Sequence, residues 1–370
     1  MAVHTLILSL DLGASLTKGF VTILKDGKRQ IESIKMDSDV VTTDKKVAEK
    51  LKSLDSTSPE NNAWISKQAR HTKKVTVVGT LAKRIGDFRV VQIERVKYEY
   101  AVEKVLAAVG AIIKKYGLER EGFEVAMNLV LPSDESEGKE SIKKNLTKAI
   151  ERYQFCGEVI EGKLIGFNCF PEGMGGILYR AKEENFITEK KLAVVMLGHR
   201  NSSCLILDKG AIGSQKTERY GYFDFLTAFK EQNLGQRISE LEEMIPLIEE
   251  DESNEDLIFR SLVKAERKTN QNRELNKLHE SYRETKEAFW KKLYNWLDVH
   301  IPTVTDEILI LGGGARHFKK EIIYAFGYTK LYWGKEAVEE LGNLMPEIFK
   351  EDKVLAQRYI DIYGTHKINQ

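Results

Sequence analysis

Three stretches far apart in the chain put small residues, hydroxyls and isolated charges where an apolar strand gives way to a turn. The first is Leu6–Phe20, LILSLDLGASLTKGF. Leu6, Ile7, Leu8 and Leu10 read as a buried strand running into Asp11, and Gly19–Leu24 reads as a second strand. Two apolar runs joined by a short glycine-containing link predict a β-hairpin. The link carries Gly13, Ala14, Ser15 and Thr17, small or hydroxylated residues that leave backbone N–H groups bare, followed by Lys18. Such groups with a lysine beside them suit phosphate oxygens. Asp11, an oxygen donor at a strand end, suits the outer shell of a hydrated Mg²⁺. An ordinary turn with a solvated Asp and Lys explains the same residues, and this segment alone does not choose.

The second stretch repeats the pattern. LAVVML leads into Gly198, His199, Arg200, Asn201, Ser202 and Ser203, and CLIL follows, making Leu192–Leu207 a paired-strand pattern and an internal repeat of the first. The third is DEILIL, ending on Gly312, Gly313 and Gly314. Between them, strand-like KLIGFNCF runs into Pro171, Glu172 and Gly173. Glycines at strand ends permit close backbone approach to a ligand, and open α/β sheets bind ligands at the carboxyl ends of their strands. Any one of these turns is explained without a ligand. Together they predict a nucleotide clamped between two lobes. The chain contains neither GxxxxGK[ST] nor GxGxxG, which disfavours a P-loop NTPase and a Rossmann dehydrogenase.

The elements that must position these turns follow from apolar spacing. Lys74–Gly79 and Phe123–Leu131 read as strands, the latter closed by Pro132, with Ser133 as a cap for the next helix. Tyr98–Tyr116 carries an i, i+3, i+4, i+7 stripe and predicts a helix stopped by Gly117. Lys35–Arg70 and Gly213–Gly221 read as loops. Tyr222–Phe229 starts a helix, and the charged stretch from about 231 to 300 reads as a helical subdomain. The last helix spans Glu351–Tyr363 with Gly364 as its stop. His317 reads as a surface or capping residue, and Trp290, Trp296 and Trp333 as core.

Composition narrows the class. The 370 residues exceed one minimal core and imply two domains. Fifty-seven basic and 56 acidic residues give a net charge of +1, which leaves no bulk electrostatic footprint for nucleic acid or an anionic membrane. Cys156, Cys169 and Cys204 are too few and too widely spaced for a disulfide framework or a zinc site and fit a reducing compartment. No signal peptide and no run of membrane-spanning length is read, so the expectation is a cytoplasmic protein.

The order DLGASLTKG, VVGTLAKR, a PEG link, VVMLGHRNSS and LILGGGARHF resembles the actin-like ATPase superfamily, and within it the ParM/StbA-type proteins of bacteria and their plasmids. The resemblance spans nearly the whole chain. It implies an α/β, bilobed actin-like (ribonuclease-H-like, duplicated) fold with a nucleotide cleft between two domains. Domain I would be 1–172, with 350–370 packing back on it, and domain II would be 173–349. It implies ATP and Mg²⁺ as cofactors. Gly13, Ala14, Ser15, Thr17 and Lys18 would form the first phosphate loop, with Asp11 near the metal. Gly198, His199, Arg200, Asn201 and Ser202 would cradle the β- and γ-phosphates, and Gly312, Gly313 and Gly314 would hold the adenosine. Glu172 would orient the attacking water, with Asp11 as the second catalytic carboxylate. Lys264, Glu266 and Arg267 would lie on a helix beside the base, although a solvated helix face accounts for them too.

Two departures stand out. The acidic residues that usually open and close the family's second phosphate loop are replaced by Met196 and Ser203. Neither supplies a hard anionic ligand, so the expectation is slow hydrolysis, or nucleotide binding without it. The sequence therefore reads as a nucleotide-dependent, polymerising actin-like ATPase of the plasmid-segregation type. It would associate with itself head to tail and reach DNA through an adaptor protein, with no direct nucleic-acid contact and no membrane partner. Two alternatives stand beside it: a non-catalytic nucleotide-gated scaffold, and a small-molecule kinase or phosphatase, for which only Asp208 and Asp224 are at hand and neither sits in a motif.

Overall fold

The computed structural model describes residues 4–52, 58–67, 73–86, 96–182, 185–250, 252–350 and 352–368. The chain packs as two compact units, 1–182 with 359–370, and 183–358. Helix Met174–Arg180, assigned on sequence to the second domain, packs with the first unit.

The first unit is built on β1 (Thr5–Leu12), β2 (Leu16–Lys25), β3 (Lys28–Asp37), β4 (Val40–Asp44), β5 (Ala63–Ser66), β6 (Lys74–Val78), β7 (Glu121–Leu131), β8 (Tyr153–Phe155) and β9 (Glu158–Pro171). Their order in the sheet is β3-β2-β1-β7-β9-β8-β5-β6-β4. β1 and β2 form the expected antiparallel hairpin, while β1, β7 and β9 run parallel. Parallel strands are covered on both faces, and β1 is: Leu6, Leu8, Leu10 and Leu12, two apart and so on one face, are fully buried, and Ser9 and Asp11 are buried on the other. Helix Ala101–Lys115 packs its Val105, Leu106, Val109 and Ile112 into the same core. Its first turn, Lys97–Tyr100, is a 3-10 turn rather than the α-helix expected from Tyr98.

The second unit is built on β10 (Lys191–Leu197), β11 (Ser202–Asp208), β12 (Ala211–Glu218), β13 (Glu307–Leu311) and β14 (Lys330–Tyr332), ordered β12-β11-β10-β13-β14. β12, β11 and β10 form an antiparallel meander, and β10, β13 and β14 run parallel. The first unit repeats this arrangement in β3-β2-β1-β7-β9. Helices Tyr222–Gln232, Ile238–Glu250, Glu255–Leu262 and Lys268–His300 supply Phe225, Phe229, Ile245, Phe259, Tyr282 and Leu293 to the core. Trp296 belongs to that core, with Trp290 and Trp333 packed against it. Among the described residues, no helix is long and apolar enough to cross a membrane.

Four expectations are corrected. Lys35–Arg70 is not loop-rich where described: β4 and β5 join the sheet, and Ala63, Trp64 and Ile65 are buried. Residues 53–57 and 68–70 of that stretch lie outside the described residues. Gly213–Gly221 is largely β12, an edge strand whose mostly exposed residues gave no apolar signal. Ser133 begins a 3-10 turn, and the helix that follows starts at Gly138 without a side-chain cap. The last helix runs Lys353–Lys367, straight through Gly364.

Gly364 is there for packing. A Cβ on it would lie 1.8 Å from the carbonyl oxygen of Gly175, and one on Gly175 would lie 1.6 Å from that of Asp361. The last helix and Met174–Arg180 therefore meet backbone to backbone. Asp361 accepts hydrogen bonds from the N–H groups of Gly173 (3.0 Å) and Gly176 (3.2 Å) at the same crossing. Further along, fully buried His366 bonds Ser9 Oγ and Thr22 Oγ1, both at 2.9 Å, tying the helix to β1 and β2.

Two stability predictions follow from this helix. Helix propensity alone predicts a gain of about 1 kcal/mol for Gly364→Ala. Backbone contact predicts overpacking, which costs about 1–3 kcal/mol and which no rotamer change relieves. The net effect should be a loss of about 1 kcal/mol, seen as a lower urea midpoint, and a raised midpoint would contradict the close crossing. Burial pushes the His366 ring down to about 4, with Arg29 adding to it. The folded state then binds fewer protons than the unfolded chain, whose histidine titrates near 6.5, so stability is present above that value and is lost as pH falls toward the folded one. Between about pH 7 and pH 5 the loss from this residue is about 2 kcal/mol. Asp361, raised to about 6 mainly by burial, works in the opposite direction over much of that range. The difference between wild type and His366→Gln in urea unfolding isolates the histidine, and parallel pH profiles for the two would refute its role.

Candidate functional site

In the first unit three parallel strands end together. Asp11 is in register with Val130, Val130 with Phe170, and Leu131 with Pro171. Glu172 follows β9, its N–H donating to the Leu131 carbonyl at 3.0 Å. Gly173, at φ +90°, then turns the chain into helix Met174–Arg180. This conformation is one that glycine adopts without strain.

Asp11 does not face solvent. Lys18, its register partner on β2, donates to Asp11 Oδ2. Lys97 Nζ donates to Asp11 Oδ1 at 3.0 Å and to Glu172 Oε1 at 2.5 Å. The side chains of all four residues are only 5–9% exposed. Burial by itself raises the Asp11 pKa, but the two ammonium groups outweigh it and hold the carboxyl well below the usual range. The same carboxylates lift Lys97 above its ordinary value despite its burial. The Lys97 N–H donates to Glu135 Oε2 at 2.5 Å, which fixes the lysine from behind. Of the expected phosphate loop, Gly13, Ala14 and Ser15 are half-buried at the turn, whereas Thr17 is fully buried.

The second unit presents an equivalent turn. Four residues separate the last cross-strand pair in each hairpin, Leu12 with Thr17 and Leu197 with Ser202. A Cβ on Gly13 would lie 2.6 Å from the Leu16 carbonyl oxygen, and one on Gly198 would lie 2.8 Å from that of Asn201. Both turns thus demand glycine for the same reason. The next pair inward is Asp11 with Lys18 in one hairpin and Met196 with Ser203 in the other. The second hairpin is neutral where the first is charged, and Ser203 Oγ lies 3.2 Å from Thr217 Oγ1.

The rest of the second turn is held by its own unit. Buried Ser202 donates to the Tyr220 carbonyl at 2.6 Å. Gly198 and His199 carbonyls accept from the N–H groups of Tyr222 (3.1 Å) and Phe223 (2.9 Å). His199 Nε2 lies 3.1 Å from Glu242 Oε1, and Arg200 and Asn201 are half-buried. β13 lies beside β10, so Gly312 and Gly314 pack on the same strand end. A Cβ on Gly312, at φ +87°, would lie 2.3 Å from the Leu197 carbonyl oxygen, and one on Gly314 3.2 Å from it. Gly313 is half-buried. His317 is buried among Phe225, Phe318, Tyr222 and Tyr282, not at the surface.

Lys264, Glu266 and Arg267 are not on a helix. They form the exposed link between helices Glu255–Leu262 and Lys268–His300. Lys264 Nζ lies 3.0 Å from Glu240, and the Lys264 and Ala265 N–H groups donate to Glu274. Helix Ile238–Glu250 thus touches both the link, through Glu240, and the Gly198 turn, through Glu242. Asp224 caps its own helix by accepting from Gly221 N–H at 3.1 Å, and half-buried Asp208 pairs with Lys191.

No family model and no curated protein sequence matches the chain. Solved structures do. A ParM filament from Clostridium botulinum matches with a TM-score of 0.60 at 15% identity, covering 98% of each chain. A non-polymerisable quadruple mutant of pCBH ParM matches at 0.57 and 15%, covering 99% of each. An archaeal actin homologue in complex with ADP matches at 0.55 and 13%, covering 98% of this chain and 99% of that one. The chain has the ParM-type actin-like fold.

Sequence reasoning within that fold missed Lys97, Glu135 and Asp361. Lys97 sits in VKYEY, which matches no motif, and Asp361 hides in an apolar helical stripe. The residues at Asp11 do not fit Mg²⁺. That ion takes an octahedral oxygen shell and keeps several waters, whereas both Asp11 oxygens already accept from ammonium groups and the cluster is nearly closed to solvent. Among the described residues, no group of three or more His, Cys, Asp or Glu is arranged to hold a metal.

Removing one partner of a buried ion pair typically costs about 3–5 kcal/mol, because the other charge is left uncompensated. Lys97→Met should lose about that much in urea unfolding. Adding Glu172→Gln should restore about half of the loss, since the charges that remain are the paired Asp11 and Lys18. Additive losses in the double variant would show that the pair is not coupled.

Proposed function

We propose that this protein is a filament-forming actin-like protein whose assembly is set by an adenine nucleotide bound through the strand-end glycine turns. The supporting observation is the duplicated five-strand order, with the same four-residue turn in each hairpin, in a fold shared over nearly its whole length with a ParM filament. A nucleotide fits this reading because an actin homologue of the same fold was solved with ADP. Self-association would be head to tail, a contact that does not close on itself and so extends. The plasmid-segregation role, with DNA reached through an adaptor in the cytoplasm, is part of the same proposal.

A second reading, a nucleotide-gated filament without hydrolysis, is favoured by one specific observation. Glu172, the expected water-orienting carboxylate, has Oε1 bound to the Lys97 ammonium, and an oxygen so engaged is a poor acceptor for a water proton. Met196 and Ser203 point the same way. The kinase reading loses support, because Asp224 is spent on its own helix cap.

Pelleting and negative-stain imaging with ATP, with ADP and without nucleotide test assembly. Filaments with ATP that thin out with ADP are expected, and soluble protein under all three conditions over a wide concentration range would end the proposal. Phosphate release measured on the same samples separates the two readings: filaments that form without it support the gated scaffold.

A further inference from the structure

We infer that Lys97 is a tethered cation standing in the first unit where a divalent metal would otherwise bridge Asp11 and Glu172. Lys97 Nζ is within hydrogen-bond distance of both carboxylates, 3.0 Å from Asp11 Oδ1 and 2.5 Å from Glu172 Oε1. Lys18 takes the other Asp11 oxygen. The two carboxylates and two ammonium groups that are hydrogen-bonded together balance in charge, and buried Asp361 interacts electrostatically with both carboxylates. A divalent ion entering this cluster would meet two cations at close range in a site with little water to screen them. It would also have to displace an ammonium from each oxygen it coordinated.

The lysine is placed for the role. Its side chain is 8% exposed, its N–H is bonded to buried Glu135, and helix Ala101–Lys115 begins four residues later. Position and orientation are therefore set by the fold. The equivalent hairpin pair of the second unit, Met196 with Ser203, carries no carboxylate. The directions in which Asp11 and Lys97 are shifted, the acid down and the base up, accord with a permanent ion pair.

The inference concerns the cation alone, and its readouts need no nucleotide, so a failure of filament assembly leaves it standing. Mn²⁺ titration of the full chain, followed by electron paramagnetic resonance, should show no site that depends on Asp11 in the wild type. Lys97→Met should gain one such site, and that site should vanish when Asp11→Asn is added. A wild-type Mn²⁺ site lost in Asp11→Asn, or a folded Lys97→Met that gains none, would overturn the inference. If Lys97→Met does not fold, the wild type decides by itself. Its urea midpoint should be the same in Mg²⁺ and in EDTA, because a ligand that does not bind the native state does not stabilise it. A Mg²⁺-dependent rise that disappears in Asp11→Asn would refute the tethered cation.

Discussion

Two carboxylates meet at the carboxyl ends of the parallel strands of the first unit, and the local structure has to answer their repulsion. Asp11 ends β1 and Glu172 follows β9, both almost out of water. Desolvation disfavours each charge and proximity disfavours the pair. Lys97 resolves both by bonding to the two at once, and Lys18 neutralises what remains. The arrangement constrains more than the four side chains. It requires β1 and β2 in one register, so that Lys18 stands opposite Asp11, and β7 between β1 and β9, so that the two carboxylates end on one edge. Removing water from the cluster makes it rigid, and it also consumes the ligand capacity that strand ends of this kind ordinarily offer.

The two units share a strand order and a turn but differ in chemistry at one equivalent place. Both hairpins need glycine at the first turn position because the carbonyl three residues on occupies the space of a Cβ. That constraint is geometric and independent of any ligand, so it persists while the pair beneath it varies. In one unit the pair is Asp11 with Lys18, in the other Met196 with Ser203. A charged pair inside a sheet holds only when both partners are present. A neutral pair imposes no such condition, and the second hairpin needs no counterpart of Lys97.

The strand-end turns were legible in the sequence because apolar runs punctuated by glycine or proline have few other readings. Both hairpins and β7, β9 and β13 were found this way, and the order of motifs pointed to the actin-like fold that the structure shows. What was missed shares one cause: it depends on contacts between residues far apart in the chain. β12 is polar because it is an edge strand, which only its neighbour β11 reveals. Lys97 lies 86 positions from Asp11 and 75 from Glu172, and nothing local marks it as their partner. Lys264, Glu266 and Arg267 were placed on a helix by the family resemblance, but helix Glu255–Leu262 ends before them and the next begins after.

Gly364 shows the same limit from the other side. A glycine after an amphipathic run is a sound local signal for a helix end, and here it means something else. The last helix must come close enough to Gly175 for Asp361 to reach the N–H groups of Gly173 and Gly176, the residues that follow Glu172. Any side chain at 364 would hold the helix away. From that approach the helix continues to His366, which grips β1 and β2 through Ser9 and Thr22, and Tyr359, near the start of the contact, donates to the Ile34 carbonyl on β3 at 2.6 Å. The helix thus braces three strands and the Glu172 turn together. The ion cluster keeps its geometry because β1 and the Glu172 turn are both fixed to one rigid helix, and the residue that permits this is the one whose local pattern most strongly suggested a stop.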